Sequence, residues 1–294
     1  MKLVAVVLNW NGGDETPHAL ASLAGIETIC VDNGSTDGSD ADVERDFPDV
    51  ELIRNGANLG YSGGNNVGIR RALECGADWV LLLNSDAVAE PGLAAALERA
   101  AEARPDAGVL ACVVLSDDGA RIEFAGGSFN TWLGYSGRVT DFGKPVASLS
   151  RARRDVARAS GAAMALSRAF VERVGLLDER LFAYAEDVDL VLRARRAGFA
   201  VVLVPDAVTR HKGSASTGGR ASTANMYYST RNTIAVVEQH RPLPPGLRAL
   251  RRGVVVASHV AQALSHPDRG AATRSVLAGW RDARAGRLGQ RPVQ

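Results

Sequence analysis

The run Trp79-Val-Leu-Leu-Leu83, followed at once by Asn84-Ser85-Asp86, constrains this chain more than any other segment. Five consecutive apolar residues ending in a polar turn read as a strand buried inside a sheet. A buried strand that ends on a carboxylate sets that carboxylate at the carboxyl edge of the sheet, where open α/β folds bind their ligands. Strand-like runs at residues 3–8, 27–32, 50–54, 79–83 and 109–115 alternate with helix-like stretches at 19–23, 67–74 and 92–103. The alternation predicts an α/β fold, a mainly parallel sheet with helices on both faces.

The second half is less regular. Residues 116–158 read as a connection carrying antiparallel strands; helices follow at 168–174 and 186–197, and a strand at 201–204 that ends at Pro205-Asp206. After Pro242-Leu-Pro-Pro245, the residues Leu247, Leu250, Val254, Ala257, Ala261 and Leu264 fall at the spacing of one helical face. The expected fate of that stripe is packing on the main domain, with interfacial membrane contact and self-association as the other outcomes. The chain thus divides into a catalytic region, 1–235, and a helical, basic extension, 236–294.

Charge is split between the halves. Residues 1–150 carry 10 basic and 22 acidic side chains, and residues 151–294 carry 24 and 11. A basic C-terminal half suits an anionic partner such as a membrane surface; no nucleic-acid partner is expected. Cys30, Cys75 and Cys112 are too few and too scattered for a disulfide framework or a zinc site. Met1-Lys2 leads directly into a strand, and no apolar stretch nears the roughly 20 residues of a spanning helix. A cytoplasmic protein, at most peripheral on the inner face of the membrane, is expected.

Several segments bring chemistry to the sheet edge. Asn9 ends the first strand and Asp32-Asn33-Gly-Ser35 the second; a carboxylate and hydroxyls there suit a nucleobase or ribose, or simply cap a turn. Asn58-Leu-Gly-Tyr-Ser-Gly-Gly-Asn-Asn66 is a glycine-rich approach to a helix, and Gly64 and Asn65 are its candidate phosphate contacts. It is neither GxGxxG nor GxxxxGK[ST], which speaks against dinucleotide and P-loop chemistry. Glu186-Asp187-Val-Asp189 opens a helix, where Glu186 and Asp189 share a face and Asp187 projects from another.

Taken in order, N-W-N-G, V-D-N-G-S-T-D, N-L-G-Y-S-G-G-N-N, L-L-N-S-D, E-D-V-D-L and H-x-x-S-A-S resemble family-2 glycosyltransferases, and within them a bacterial rhamnosyltransferase-like branch. The resemblance covers roughly residues 1–235. It implies a GT-A fold, an inverting mechanism, a dTDP- or UDP-sugar donor and a glycan or lipid-linked acceptor. By resemblance Asp86 and His211 hold Mg²⁺ or Mn²⁺, with Asn84 and Ser85 beside the donor, and Asn84 stands where the family more often has a carboxylate. Asp187 matches the base, with Glu186 the second candidate. From the residues, Ser214, Ser216 and Thr217 would close over the diphosphate; Arg231 would neutralise it or belong to a helix packed through its tyrosines; and Phe182 and Tyr184 would stack on an acceptor sugar or pack in the core. Two other readings stay open from the residues: a sugar-1-phosphate nucleotidyltransferase and a non-catalytic nucleotide-sugar-binding module.

Overall fold

The apolar runs pair much as their pattern predicts. The computed structural model describes residues 1–213 and 222–291, with the backbone alone at 135–138; Ser214, Ser216 and Thr217 lie outside the described residues. The first half comprises β1 (Leu3–Asn9), α1 (Glu15–Ala21), β2 (Glu27–Asp32), α2 (Ser39–Asp46), β3 (Glu51–Arg54), α3 (Gly60–Glu74), β4 (Trp79–Asn84), β5 (Ala87–Ala89), α4 (Leu93–Ala103) and β6 (Ala107–Ser116). Then come β7 (Ile122–Phe124), β8 (Gly127–Asn130), β9 (Tyr135–Val139), β10 (Arg154–Asp155), β11 (Ala163–Ser167), α5 (Arg168–Val174), α6 (Glu186–Arg196) and β12 (Ala200–His211). The helices α7 (Thr223–His240), α8 (Pro245–Ala263) and α9 (Arg269–Arg284) follow.

The main sheet has the order β10-β12-β6-β11-β4-β1-β2-β3, with β5 on β12 and β7 on β6. From β4 to β3 the strands are parallel, whereas β11 runs antiparallel between β4 and β6. Alternate residues of β1 serve the two faces. Val4 and Val6 meet Ile69 and Ala72 of α3, while Ala5 and Val7 belong to the layer of Leu20, Val43 and Leu97. Burying such side chains contributes about 1.5–3 kcal/mol each. The carboxyl ends of β1, β2 and β4 share one edge, since Asn9 pairs with Asp32 and Leu8 with Asn84.

Three local expectations are corrected. The helix expected from residue 67 begins at Gly60, so Gly64 and Asn65 lie inside α3 and not on a loop. Glycines are poor helix formers, but here they permit contact: a Cβ at Gly64 would sit 2.4 Å from Leu8 Cδ1, and one at Gly68 2.3 Å from Val6 Cγ1. Second, β12 does not stop at Pro205-Asp206. A bulge between Val204 and Val208 absorbs the proline and carries the strand on to His211.

The third concerns α8. Its expected inward stripe faces out: Leu247, Leu250, Ala257, Ala261 and Leu264 are exposed, and Arg251, Val255 and Ala263 are buried instead. The inner face meets α7 and α9, where Met226, Ala263, Ala272 and Val276 form a small core. Gly279 of α9 passes so close to α7 that a Cβ there would lie 2.4 Å from the Tyr227 carbonyl. Residue 235 falls within α7, which runs without a break from one region into the next.

Candidate active site

At the β1–β2 edge the polar groups satisfy one another. Asn9 is completely buried; its amide donates to Asp32 Oδ1 at 3.0 Å and Ser39 Oγ at 2.9 Å, and its Oδ1 accepts from Thr16 Oγ1 at 2.7 Å. Asp32 Oδ2 accepts from the Gly34 and Ser35 amides, both at 3.1 Å. Ser35 Oγ, half-buried, accepts from the Asn11 amide at 3.0 Å. Asn33 lines the cleft while bracing Asn55, Asn58 and Leu59. Asn9 therefore ties two strand ends together and does not reach a ligand, which corrects the sequence expectation.

The α3 N-terminus is likewise occupied. The Gly60 amide donates to Asn58 Oδ1 at 2.8 Å and the Ser62 amide to the Phe182 carbonyl at 3.1 Å, where a phosphate was expected. Asn65 is buried and donates to the Tyr61 carbonyl within its own helix. Neither Gly64 nor Asn65 is a phosphate contact, because both sit beneath the helix start.

A cleft of about 1000 Å³ opens beside this edge, and Asn84, Ser85, Asp86, Glu123, Arg158, Glu186, Asp187 and His211 line it. Pairing of β5 with β12 puts His211 opposite Ala87, next to Asp86, and the Lys212 amide closes onto the Asp86 carbonyl at 3.1 Å. His211 Nε2 lies 3.1 Å from Asp86 Oδ1, close as an ion pair but off hydrogen-bond alignment. Its Nδ1 lies 3.8 Å from Glu123 Oε2. Burial by itself lowers the His211 pKa, yet Asp86 and then Glu123 outweigh it and raise it to about 9. A carboxylate beside a buried ring nitrogen fits a divalent cation, which would take the place of the proton that Asp86 and Glu123 hold on His211. Among the described residues no third His, Cys, Asp or Glu joins them in a metal-sized group.

Facing this pair is the start of α6. Phe182, Tyr184 and Ala185 all have φ between 65° and 70°, a left-handed conformation that costs side-chain-bearing residues roughly 1–3 kcal/mol each. Helix α7 offsets that strain. Asn232, completely buried, donates to the Leu181, Ala183 and Tyr184 carbonyls at 2.7–2.8 Å. Arg231 donates to the Leu181 carbonyl at 3.0 Å and the Gly289 carbonyl at 2.6 Å, and stands over the Tyr227 and Tyr228 rings. With its guanidinium 1% exposed and committed to these carbonyls, Arg231 does not face a diphosphate, contrary to expectation. Phe182 does line the cleft, stacked on Tyr228 with ring centroids 5.4 Å apart.

The loop delivers two carboxyls to the cleft. Burial, reinforced by Asp187, pushes Glu186 from its usual 4.5 up to about 8, and its Oε2 has no hydrogen-bond partner. Burial also raises Asp187, but Arg158 and the amides of Val188 and Gly161 oppose it; the Val188 amide is 2.8 Å from Oδ1. Burial thus lifts both carboxyls, and Asp187 has the Arg158 charge beside it to favour its ionised form. Tyr61 supports them from α3, donating to the Gly161 carbonyl at 2.6 Å. Sequence reasoning missed Tyr61, Arg158 and Asn232.

Comparison with known proteins agrees with this architecture. A family model described as "Glycosyltransferase like family 2" matches residues 18–232. An N-acetylglucosaminyl-diphospho-decaprenol L-rhamnosyltransferase of Mycobacterium tuberculosis is 30% identical over 81% of this chain and 85% of its own. Among solved structures, GalNAc-T7 with UDP, GalNAc and Mn²⁺ is similar with a TM-score of 0.63 at 15% identity, over 86% of this chain; the chain spans about half of that protein (54%). A mannosyltransferase from Pyrobaculum calidifontis, in complex with GDP-Man and Mn²⁺, gives a TM-score of 0.58 at 18% identity over 99% of this chain and 76% of that one. These neighbours share the GT-A fold, and the chain belongs to glycosyltransferase family 2.

Proposed function

We propose that this enzyme moves a hexose, rhamnose first among the candidates, from a dTDP- or UDP-sugar to a hydroxyl of a lipid-linked glycan, with inversion at the anomeric carbon. The observation that carries the reading is the meeting of two pairs in one cleft, Asp86 with His211 and Glu186 with Asp187. The named activity of the mycobacterial relative supports rhamnose and a lipid-linked acceptor.

In this reading Asp32, Asn33 and Ser35 receive the nucleoside side of the donor, and Asn84 and Ser85 line its path toward the diphosphate. Asp86 and His211 would hold Mg²⁺ or Mn²⁺, which when bound stabilises charge on the departing diphosphate. Among the described residues these two would be the ion's protein ligands, and donor oxygens would be expected to complete the site. Asp187 removes the proton from the acceptor hydroxyl as its oxygen bonds to the anomeric carbon and the bond to the nucleoside diphosphate breaks. Arg158 favours the ionised form of Asp187, and Glu186, kept neutral by burial, can donate a hydrogen bond to the acceptor. Such a donor and acceptor suit the cytoplasmic face of a membrane.

The test is Asp187→Asn, with thermal stabilisation by dTDP, UDP and GDP measured beside it, each with Mn²⁺ and with EDTA. The reading expects metal-dependent stabilisation by one nucleotide in both proteins and loss of transfer in the variant. Near-normal transfer by a folded variant that binds donor would overturn it.

A further inference from the structure

Among the described residues the outward stripe of α8 has no counterpart. Leu247, Leu250 and Leu264 are each at least half exposed, Leu250 at 66%, and Val254, Ala257 and Ala261 continue the line between them. At about 1.5 Å per residue the stripe runs for roughly 25 Å. Trp132 and Leu133, also about half exposed, stand beside its first turns. Arg251 fixes them there by donating to the Thr131 carbonyl at 3.3 Å, and Gly134 packs so tightly that a Cβ would lie 2.6 Å from Val255.

The same place is basic. Arg241 stacks on Trp132 at 3.3 Å, and Arg248 is exposed; neither has an ion pair among the described residues. Arg252 is neutralised by Glu238 at 2.6 Å, whereas the buried Arg251 has two guanidinium nitrogens without partners. Burial lowers the Arg251 pKa, and beyond the opposing effect of Glu238 the charges of Arg252, Arg241 and Arg248 lower it further, so the four cations lie close together. Helix α8 carries no acidic residue. No described helix is long and apolar enough to cross a membrane. Leucines and a tryptophan flanked by arginines, on a helix that does not span, have the composition of an interfacial helix.

We infer that the outer face of α8, together with Trp132 and Leu133, docks on an anionic bilayer, with the leucines in the acyl boundary and Arg241 and Arg248 among the headgroups. Gly134, Ser258, His259 and Gln262 next to this face also line the cleft. Docking therefore brings the cleft mouth to the surface that would bear a lipid-linked acceptor. The acceptor side of this inference rests on the proposed function; the membrane contact does not.

Flotation of the full chain separates the two. The protein is expected to float with vesicles containing phosphatidylglycerol at low salt and to stay behind with phosphatidylcholine alone. Leu247→Ser and Leu250→Ser should each weaken binding by about tenfold, and Arg248→Gln by about fivefold. Nucleotide-dependent thermal stabilisation should be unchanged in all three. Flotation that the leucine variants leave intact, or no flotation by wild type, would overturn the inference. So would a dimer in solution that Leu250→Ser dissociates, since a second copy would then own the face. A failure of transfer with normal flotation would count against the proposed function alone.

Discussion

The β1–β2 edge and the entry to α6 both present acids to one cleft, but by opposite means. At the β1–β2 edge the side chains of Asn9 and Asp32 find partners in each other and in nearby amides. At the α6 entry, three side-chain-bearing residues sit at positive φ, a buried and a half-buried carboxyl stand side by side, and one oxygen has no partner. The first arrangement is a finished platform against which a donor can rest. The second stores strain and suppresses charge, and is stable only because α7 holds it. Strain and displaced pKa values concentrate where reactions are performed, so the difference supports the proposal that one region binds the donor and the other transfers the proton.

Matched substitutions can break this division. Asn232→Ala takes the amide from the Ala183 and Tyr184 carbonyls of the strained loop, each costing about 1–3 kcal/mol if it stays dry, while Arg231 still serves Leu181. It should lower kcat by about a hundredfold, since small misplacements of reacting groups have effects of that size, with donor KM changed little. Asn9→Ala should destabilise the fold by about 2 kcal/mol and raise donor KM, with kcat nearly kept. If the two variants show the same kinetic pattern, the division fails. Steady-state kinetics and denaturant melts read both.

A smaller effect is expected at Gly64→Ala. The added methyl meets Leu8 at 2.4 Å, and overpacking of this kind costs about 1–3 kcal/mol. Nucleotide affinity should stay within about twofold, measured at a temperature where the variant is folded. A large loss of affinity with normal stability would restore Gly64 as a phosphate contact.

The pH dependence of stability sharpens the other region. Glu186 holds its proton more tightly folded than unfolded, from its usual 4.5 up to about 8. Its contribution is therefore fully present at low pH and declines as pH rises from about 4.5 to about 8. Relative to Glu186→Gln, the wild-type protein should lose Tm steadily across that window and then level off. Parallel Tm curves for the two proteins would remove the claim of a neutral Glu186.

What the sequence made legible follows from local physics. Apolar runs such as residues 79–83 exceed what a surface segment carries, so the strands and their carboxyl edge could be read directly. Asp86 could be read from the buried strand that it ends, but its meeting with His211 was recoverable only through family resemblance, because a turn and a bulged strand separated by 125 positions meet through the pairing of β5 with β12. The start of α3 was hidden, since glycine propensity argues against a helix and only the approach to Leu8 and Val6 explains it. Arg231 carried the right chemistry for a phosphate, but tertiary structure gave it to carbonyls. The α8 stripe was legible as a stripe and not as to its covering, because periodicity does not say which face finds a partner.

The central claim is that burial holds the proton on Glu186 well above the ordinary carboxylate range, while Asp187, beside Arg158, is the base. Carbon-13 NMR of side-chain carboxyls, with Glu186→Gln and Asp187→Asn for assignment, reads this directly. The account predicts one carboxyl titrating near 8 that disappears in Glu186→Gln and persists in Asp187→Asn. If every carboxyl titrates in the ordinary range near 4, or if the signal near 8 belongs to Asp187, the assignment of the base is contradicted.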